Sequence, residues 1–570
     1  MNLKHVSAVA MAAAMVVIGG CSSSNEGQFD PRSMGDLNRQ ASKEYTHDPL
    51  KPLPTTLRSQ FLPDQRGKPE TPPEPPVKTP LVPAGETVRL SLREVEQRAV
   101  ANNLNVRVSG YNPAIDESRV TEAEARFDPE AFVNTTFTAN RPAVTQITGP
   151  GYDALQLQGG LRQLLPSGGQ MEVSVSPTRY NFLDPDGVNQ GQVPHASGDN
   201  TLWSTQVQAQ LTQPLLQNFG YEVNQARIVI NRLNQRITLL EFRKDLEDMV
   251  KNTEETYWRL AQAQRNQQIL EELLQRTLDT SDIVSRRFGQ DVTLEQISNS
   301  VSRVESTRAD LIRARQRVRD LSDQLKGLMN DPEFPTAGNQ LILTADQPLQ
   351  QLVTFDLNDT INTALLNRFD IAEQQLKVDS ASVALQVAKN NELPQLNFVG
   401  SIGEAGNAPD FGSSVNEMFQ GQSGLNWSAG LQFVQKLGNR EARAITRRSQ
   451  LQRMQAITQY QATIETATLE AKVAQREVES SWQAIGQSRS ARFAAAKALD
   501  VINTLEKGGE PLRPDFIERK LTRQQELAQA EQTEADAIAS YNIAIADLEK
   551  KKGTLLRYNN IVMDKKMFKH

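Results

Sequence analysis

The chain contains an internal duplication, and this duplication limits the architectures that its 570 residues can adopt. At an offset of 265 residues, segment 90–129 aligns with 355–394 without a gap. At an offset of 224, two tryptophans align with the other two in the chain, Trp203 with Trp427 and Trp258 with Trp482. Because self-similarity at a fixed offset is the signature of repeated structural units, two copies of one unit are predicted.

The two predicted repeats cover 90–330 and 355–560, joined by a linker at 331–354 and followed by a tail at 561–570. The first repeat carries an additional segment within 141–202, which accounts for the change of offset. In this segment, apolar and polar residues alternate from Met171 to Ser176. Such alternation predicts strands, either as a separate hairpin or as two more strands of the main sheet.

Each repeat is predicted to contain a helix, strands, a very long helix, a glycine turn and a last helix. The helices are predicted at Leu92–Arg126, about Tyr221–Phe288 and Leu294–Met329, and again at Leu357–Asn391, about Asn439–Glu506 and Asp515–Lys550. The turns form two helix tips, at Gly289 and Asp291 and at Gly508 and Gly509. Since a helix rises 1.5 Å per residue, about 70 residues reach roughly 100 Å.

A heptad pattern in the last helix of the first repeat predicts coiled-coil packing. Its apolar positions are Leu294, Ile297, Val301, Val304, Leu311, Val318 and Leu325. Arg308, Arg315 and Ser322 occupy the skipped seam positions. Because polar residues interrupt the seam, a wider helical bundle is favoured over a two-stranded coil.

The segments between the helices alternate strictly between apolar and polar residues, which predicts strands with one apolar face. Four such segments begin near Val133, Trp203, Leu396 and Leu425. Each is about 10 residues long, the length of a tilted membrane strand. The polar face is rich in glutamine and asparagine, which suits an aqueous lumen with lipid outside. A soluble sandwich with tryptophan in its core remains the alternative.

Composition excludes several other classes of protein. The net charge of −6 offers no basic surface for nucleic acid. No run after the first 20 residues is long and apolar enough for a transmembrane helix, and the mean hydropathy is −0.51. Four scattered histidines and the lack of known catalytic motifs predict that the chain is not an enzyme and needs no cofactor or metal.

The N-terminus has the order of a secretory signal at 1–20: Lys4, then an apolar stretch from Val6 to Ile18. The sequence Ile18-Gly19-Gly20-Cys21 that follows resembles a bacterial lipobox, which implies lipid attachment at Cys21. The alternative is a cleaved signal followed by an unrelated cysteine. Residues 21–89 are polar and rich in proline, so they are predicted to be an extended tether.

Three segments together resemble the TolC-type outer-membrane efflux family, lipoprotein branch. They are 212–220, with Thr212-Gln213-Pro214-Leu215-Leu216, then 427–444, with Leu437-Gly438-Asn439-Arg440-Glu441, and 541–560, with Tyr541-Asn542-Ile543-Ala544. The resemblance covers about 90–560 and rests on order, spacing and duplication. The sequence departs from the family pattern at Lys436, where proline is usual, and at Arg368-Phe369-Asp370, where Arg-Pro-Asp is common.

The resemblance implies an α+β membrane protein: a trimeric transmembrane β-barrel with about four strands per chain, continued by a long antiparallel α-helical coiled-coil tunnel. It implies a homotrimer in the outer membrane, lipid-anchored and extending into the periplasm. Its partners would be a periplasmic adaptor protein, an inner-membrane pump and outer-membrane lipid. The chain would passively conduct substrates in tripartite efflux or type I secretion.

The resemblance also implies the positions of functional residues. Asp515 and Glu518, three residues apart on one helix face, would line the periplasmic aperture, with Arg513 in a latching salt bridge. The two tips would dock the adaptor, and Trp203 and Trp427 would lie at the membrane interface. Acidic residues at a solvated helix start are the simpler alternative for the aperture pair.

Two other functions fit parts of the sequence. A lipid-anchored periplasmic adaptor is also built on long helices, but it has one helical hairpin rather than two repeats with paired strands. A structural coiled-coil lipoprotein would bridge the layers of the envelope. Its loss would weaken the envelope without changing drug accumulation.

Overall fold

The computed structural model describes residues 86–141, 151–182, 201–288, 292–419, 425–508 and 514–561, all of which belong to one compact unit. The predicted signal 1–20, Cys21, nearly all of the tether 21–89 and most of the tail lie outside the described residues. So do four residues of the predicted tips and aperture, Gly289, Asp291, Gly509 and Arg513.

The described elements follow a similar order in both halves of the chain, although the first half has two additional strands and the second half has a short helix between its two long strands. The first half contains β1 (Thr87–Leu90), α1 (Leu92–Asn102), α2 (Leu104–Glu124), β2 (Glu130–Asn140), β3 (Tyr152–Leu164), β4 (Gln170–Phe182), β5 (Thr201–Pro214), α3 (Tyr221–Asn224), α4 (Ala226–Arg286) and α5 (Leu294–Met329). The second contains β6 (Leu341–Thr344), α6 (Leu357–Asn367), α7 (Phe369–Asn390), β7 (Gln395–Ala408), α8 (Phe411–Phe419), β8 (Asn426–Val434), α9 (Arg440–Lys507), α10 (Pro514–Lys551) and α11 (Leu555–Tyr558).

The two predicted helices of about 35 residues are each broken in two, which corrects that prediction. The breaks fall at Asn103 and Arg368, which are 265 residues apart and adopt extended backbone angles. The Asn103 side chain accepts hydrogen bonds from the N–H groups of Asn105 and Val106 at 2.9 and 3.2 Å, so it caps α2. Asn103 thus ends α1 and also caps the start of α2.

At the second break, no side chain caps the helix, and the Arg368 guanidinium instead forms ion pairs. It binds both carboxylate oxygens of Asp370 at 3.0 and 2.6 Å and Glu470 of α9 at 2.7 Å. Although burial of the guanidinium acts in the opposite direction, these half-buried carboxylates raise the pKa of Arg368 further above its usual range. Phe369 occupies the first helical position, where proline is favoured because its missing N–H costs nothing there. The break therefore forms without the proline common in the family.

The long helices lie close to their predicted positions. α4 has 61 residues and α9 has 68, and neither contains proline, which would interrupt the hydrogen-bond ladder. α5 has the predicted bounds, and α10 extends the prediction by one residue at each end. No helix among the described residues is both long and apolar enough to cross a membrane.

The predicted seam of α5 is confirmed only in its second part. Val304, Leu311, Val318 and Leu325 are buried, whereas Leu294 and Val301 are 68% and 45% exposed. Ser322 is also buried, and its Oγ accepts a hydrogen bond from the N–H of Ile342 at 2.9 Å. The seam prediction fails near the tip because Ser300 and Thr307, not Val301, complete the buried face there.

Two buried tyrosines hold the linker against the helices. The Tyr257 hydroxyl of α4 donates to Leu90 O at 3.0 Å and contacts Asp346 Oδ2 at 3.1 Å. The Tyr541 hydroxyl of α10 donates to Gln351 O at 2.7 Å. β1 and β6 pair in parallel beside the largest apolar cluster, which includes Leu246, Leu260 and Leu325. The core of the helical region therefore lies where the two halves and the linker meet.

All strands longer than four residues form one antiparallel sheet in the order β2-β3-β4-β5-β7-β8. The count of about four strands per chain is therefore corrected to six among the described residues. The additional segment supplies β3 and β4, which lie between β2 and β5 instead of beside the sheet. The sequence left this choice open because alternation predicts strands but not their neighbours.

The sheet has one apolar and one polar face, as predicted. Directly opposite residues share a face, so each register row reports one side. One row crosses all six strands and is entirely apolar: Ala131, Leu161, Val173, Ala209, Ile402 and Trp427. A row on the other face is entirely polar: Thr136, Gln156, Thr178, Ser204 and Asn407.

Helix α8 lies on the apolar face near the end of the sheet that is farthest from the long helices. A Cβ at Gly406 of β7 would lie 2.0 Å from Ser414 O, so glycine is required for this close approach. Thr205 Oγ1 and Ser414 Oγ are 2.8 Å apart, and the rings of Trp203 and Phe411 are 5.4 Å apart, edge to face. α8 thus covers one end of a face that is otherwise widely exposed.

Candidate functional site

The two helical hairpins pack together near their tips through a small apolar cluster. It comprises Val284 of α4, Val292 and Ile297 beside and within α5, Ile502 of α9, and Phe516, Ile517 and Leu521 of α10. Phe516 and Ile517 are 1% and 4% exposed. This packing fixes the rotation of α10, so it determines which side chains face outward at the tip.

Asp515 and Glu518, the predicted aperture pair, are both exposed on the side of α10 opposite that cluster. Asp515 Oδ2 lies 3.5 Å from Arg519 Nη2, one turn along the same helix. Glu518 lines a groove between α10 and α5, together with Glu295 and Arg303. The structure therefore places both carboxylates at the tip and leaves them accessible within the single chain.

The other predicted tip residues are only partly described. Gly508 ends α9, and its N–H donates to Thr504 O at 2.9 Å. Arg286, near the first tip, pairs with Asp282 of its own helix at 2.7 Å. Its partner is thus one turn away on α4, and it does not join the two hairpins through this contact.

A salt bridge that sequence reasoning missed joins the two helices of the second tip. Lys520 Nζ of α10 lies 2.6 Å from Glu506 Oε2 of α9, and Lys520 is 6% exposed. Four residues further on, buried Gln524 donates to Thr280 Oγ1 of α4 at 3.1 Å. The spacing of Phe516, Lys520 and Gln524 was the available signal, since residues four apart share a helix face.

Replacing Lys520 with Met is expected to loosen the second tip by about 2 kcal/mol, because it leaves the half-buried carboxylate of Glu506 unpaired. Faster amide hydrogen exchange at the adjoining ends of α9 and α10 would report this loss. A second substitution, Glu506→Leu, should recover much of it. Arg523→Ala, which breaks an exposed pair with Glu526, is the control. Equal exchange in Lys520→Met and Arg523→Ala would show that the buried pair contributes nothing special.

The two predicted interface tryptophans lie on the apolar face but at different positions along the strands. Trp203 is opposite Ala408, whereas Trp427 is opposite Ile402, which is itself opposite Ala209. The register therefore separates them by six residues, or roughly 20 Å along the strand direction. Trp203 packs on α8, whereas Trp427 is 73% exposed.

A buried pair of carboxyl groups lies in the helical core, far from both tips in sequence. Glu96 of α1 and Glu254 of α4 are 5% and 4% exposed, and the Asn559 amide donates to both. Burial, together with the neighbouring Glu254, raises the pKa of Glu96 to about 9. Burial also raises the pKa of Glu254. Glu96 is therefore protonated at neutral pH and can donate a hydrogen bond to the Glu254 carboxylate.

The bend from β8 into α9 is formed without the proline usual in the family. Gly438 and Asn439 adopt positive φ angles of 84° and 37°, which turn the chain in two residues. Lys436 instead places its Nζ 3.3 Å from Glu441 Oε2. The turn thus depends on residues that tolerate the left-handed region, not on a fixed proline ring.

This architecture is similar to that of solved outer-membrane proteins. The CmeC outer membrane channel of Campylobacter jejuni aligns with a TM-score of 0.57 at 16% identity, over 84% of this chain and 89% of its own. The outer membrane protein VceC of Vibrio cholerae aligns with a TM-score of 0.57 at 14% identity, over 81% of this chain and 96% of its own. The MtrE outer membrane channel of Neisseria gonorrhoeae aligns with a TM-score of 0.58 at 15% identity, over 81% of this chain and 89% of its own.

No protein-family model and no curated protein matched the sequence. Two of these similar structures are of outer-membrane channels. The alignments cover nearly the whole length of those chains and more than four fifths of this one. The chain therefore has the fold of the TolC-type outer-membrane efflux channels.

Proposed function

We propose that the chain forms the outer-membrane channel of a tripartite efflux or type I secretion system and passively conducts substrates to the exterior. The observation that carries this proposal is the two-faced sheet at one end of the long helices. Its apolar face exposes Val133, Leu161, Leu431 and Trp427 by more than half. A face of this kind is stabilised by lipid, while the polar face suits water.

The sheet edges support closure by several copies. Within the described chain, β2 and β8 each pair on one side only, and an open strand edge cannot remain unpaired in lipid. β2 leaves the helices and β8 returns to them, so β8 of one copy would meet β2 of the next in antiparallel orientation. A homotrimer closed in this way forms a barrel that the long helices extend into the periplasm.

The remaining roles follow from this arrangement. Cys21 would carry the lipid, Trp203 and Trp427 would lie towards the membrane interfaces, and the helix tips would meet a periplasmic adaptor linked to an inner-membrane pump. Purification from outer membranes as a trimer that conducts ions across planar bilayers is the expected result. A monomer recovered from the soluble fraction, without conductance, would refute the proposal.

Neutralising the aperture pair, Asp515→Asn with Glu518→Gln, is expected to reduce cation over anion selectivity in planar bilayers. Two carboxylates from each of three copies would surround one axis, and rings of acidic side chains favour cations. Glu526→Gln is the matched control, because Glu526 is an exposed acid of the same helix two turns further from the tip. Unchanged selectivity in the double variant would remove both residues from the pore lining.

A further inference from the structure

The β3–β4 hairpin matches the rest of the main sheet in strand length and in the extent of its pairing. Its strands have 13 residues each, against 11 in β2 and 14 in β5. β3 pairs with β2 over 11 residues, and β4 pairs with β5 over 12. The hairpin therefore separates β2 from β5 along the whole of β2 and along 12 of the 14 residues of β5.

Both faces of the sheet pass through the hairpin without interruption. On the apolar face, Leu161 and Val173 connect Ala131 to Ala209. On the polar face, the row through the hairpin reads Thr136, Gln156, Thr178 and Ser204. A hairpin that folded into the lumen or over the outside would not keep both alternations in register with its neighbours.

The turn of the hairpin is tied to the place where β5 leads into the helices. Ser167 Oγ donates to Gln213 Oε1 at 2.9 Å, and the N–H of Gly220 donates to Ser167 O at 3.1 Å. At Gly168, with φ of 92°, a Cβ would lie 2.2 Å from Asn218 O. The turn thus packs against the sheet exit with backbone contacts that leave no room for a side chain.

We propose that the hairpin widens the channel wall, so that three copies close an eighteen-stranded barrel whose outer opening admits solutes too large for twelve strands. This inference rests on the function proposed above. Two strands are an even insertion, so they preserve both the antiparallel alternation and the orientation of the faces. With strands about 4.8 Å apart and tilted by about 40°, eighteen strands give a backbone radius of ~18 Å, against ~12 Å for twelve.

The width has a consequence for the size of the cargo. After side chains fill part of the lumen, the wider barrel admits solutes of about 10 Å radius, and the narrower one excludes them. The barrel would then not limit the size of the cargo, and the limit would lie at the helix tips.

The test compares the full chain with a variant in which residues 142–200 are replaced by Asn-Gly, a two-residue hairpin turn. In both, Gln208→Cys places a thiol on the polar face, and Cys21 is the sole native cysteine. Cells are treated from outside with a small maleimide and with maleimide-polyethylene glycol of about 10 Å radius. Val207→Cys, on the apolar face, is the control for lumen-specific labelling.

We expect both reagents to label Gln208→Cys in the full chain at similar rates, and the polymer to react at least tenfold more slowly in the shortened variant. Electron microscopy of the full chain should show eighteen strands. Two results would refute the proposed wider barrel and leave the channel function intact. One is a conducting trimer with twelve wall strands. The other is a conducting trimer in which the polymer, relative to the small maleimide, labels the full chain and the shortened variant at the same rate. A chain that is monomeric and absent from the outer membrane would instead overturn the proposed function.

Discussion

Replacing Ala209 with arginine is expected to abolish assembly of the chain in the outer membrane, whereas Gln208→Arg should be tolerated. The two residues are neighbours near the middle of β5 and are both half-buried in the single chain. They differ in the face that they occupy, because Ala209 lies between Val173 and Ile402, whereas Gln208 lies between Ser174 and Gly403. If the apolar face contacts lipid, arginine at Ala209 costs about 2–4 kcal/mol per copy near the bilayer centre.

In a trimer that cost is incurred three times, so it amounts to about 6–12 kcal/mol, which is comparable to the whole stability margin of a typical folded protein. The amount of heat-resistant trimer in outer-membrane fractions measures the effect directly. Loss is expected for Ala209→Arg, and near-normal amounts are expected for Gln208→Arg with altered ion selectivity. The opposite pattern would mean that the polar face meets lipid, and equal tolerance of both would mean that neither face does.

Replacing Glu96 with Gln is expected to make the helical core less sensitive to alkaline pH. The folded pKa of Glu96 is raised to about 9 by burial, above its ordinary value of 4.5. A raised pKa contributes stability that is fully present below the ordinary value and is lost as pH rises through the folded value. Between pH 5 and 9, the free energy of unfolding should therefore fall by up to about 1.4 kcal/mol per pH unit for this proton.

The groups around Glu96 reinforce this dependence. Glu254 and Asp346 lie close enough to disfavour a second negative charge, and the Asn559 amide bridges the two glutamates. Glutamine can keep a hydrogen bond to Glu254 without titrating. Glu247, whose pKa burial raises to about 8, contributes a smaller dependence that the variant retains.

The apparent melting temperature, followed between pH 6 and 9.5 through fluorescence of the nearby buried Trp258, checks this prediction. The native chain should melt at progressively lower temperature as pH rises, and Glu96→Gln should show a shallower decline. Glu117→Gln, at an exposed position of α2, should follow the native chain. Parallel curves for the native chain and Glu96→Gln would show that the buried pair is not the source of the dependence.

Local patterns predicted the helices well where nothing distant competes with them. α5 begins and ends at the predicted residues because Thr293 and Gln296 form a capping box and Asn330 adopts the left-handed conformation that ends a helix. The break at Asn103 has an equally local cause and was readable as a capping residue. The break at Arg368 was not, because its guanidinium is held by Glu470, 102 residues further along the chain.

The functional residues also differ in whether local sequence or distant contacts determine their surroundings. That Asp515 and Glu518 share an exposed helix face was predictable from their spacing and from apolar Phe516 and Ile517 between them. That Lys520 reaches Glu506 was not predictable, because the distance between two helices depends on how the hairpin closes. The protonation of Glu96 was not predictable for a similar reason, because Glu96 is buried only where α1, α4 and the C-terminal segment pack together.

The sequence alone was sufficient for the features that depend on period and composition: long uninterrupted helices, and strands with one apolar and one polar face. Only the tertiary structure decided which strands are neighbours, and so placed β3 and β4 inside the sheet. The physical reason is that hydrophobic alternation orients a strand relative to lipid or water, whereas pairing depends on backbone hydrogen bonds that any strand can offer to any other.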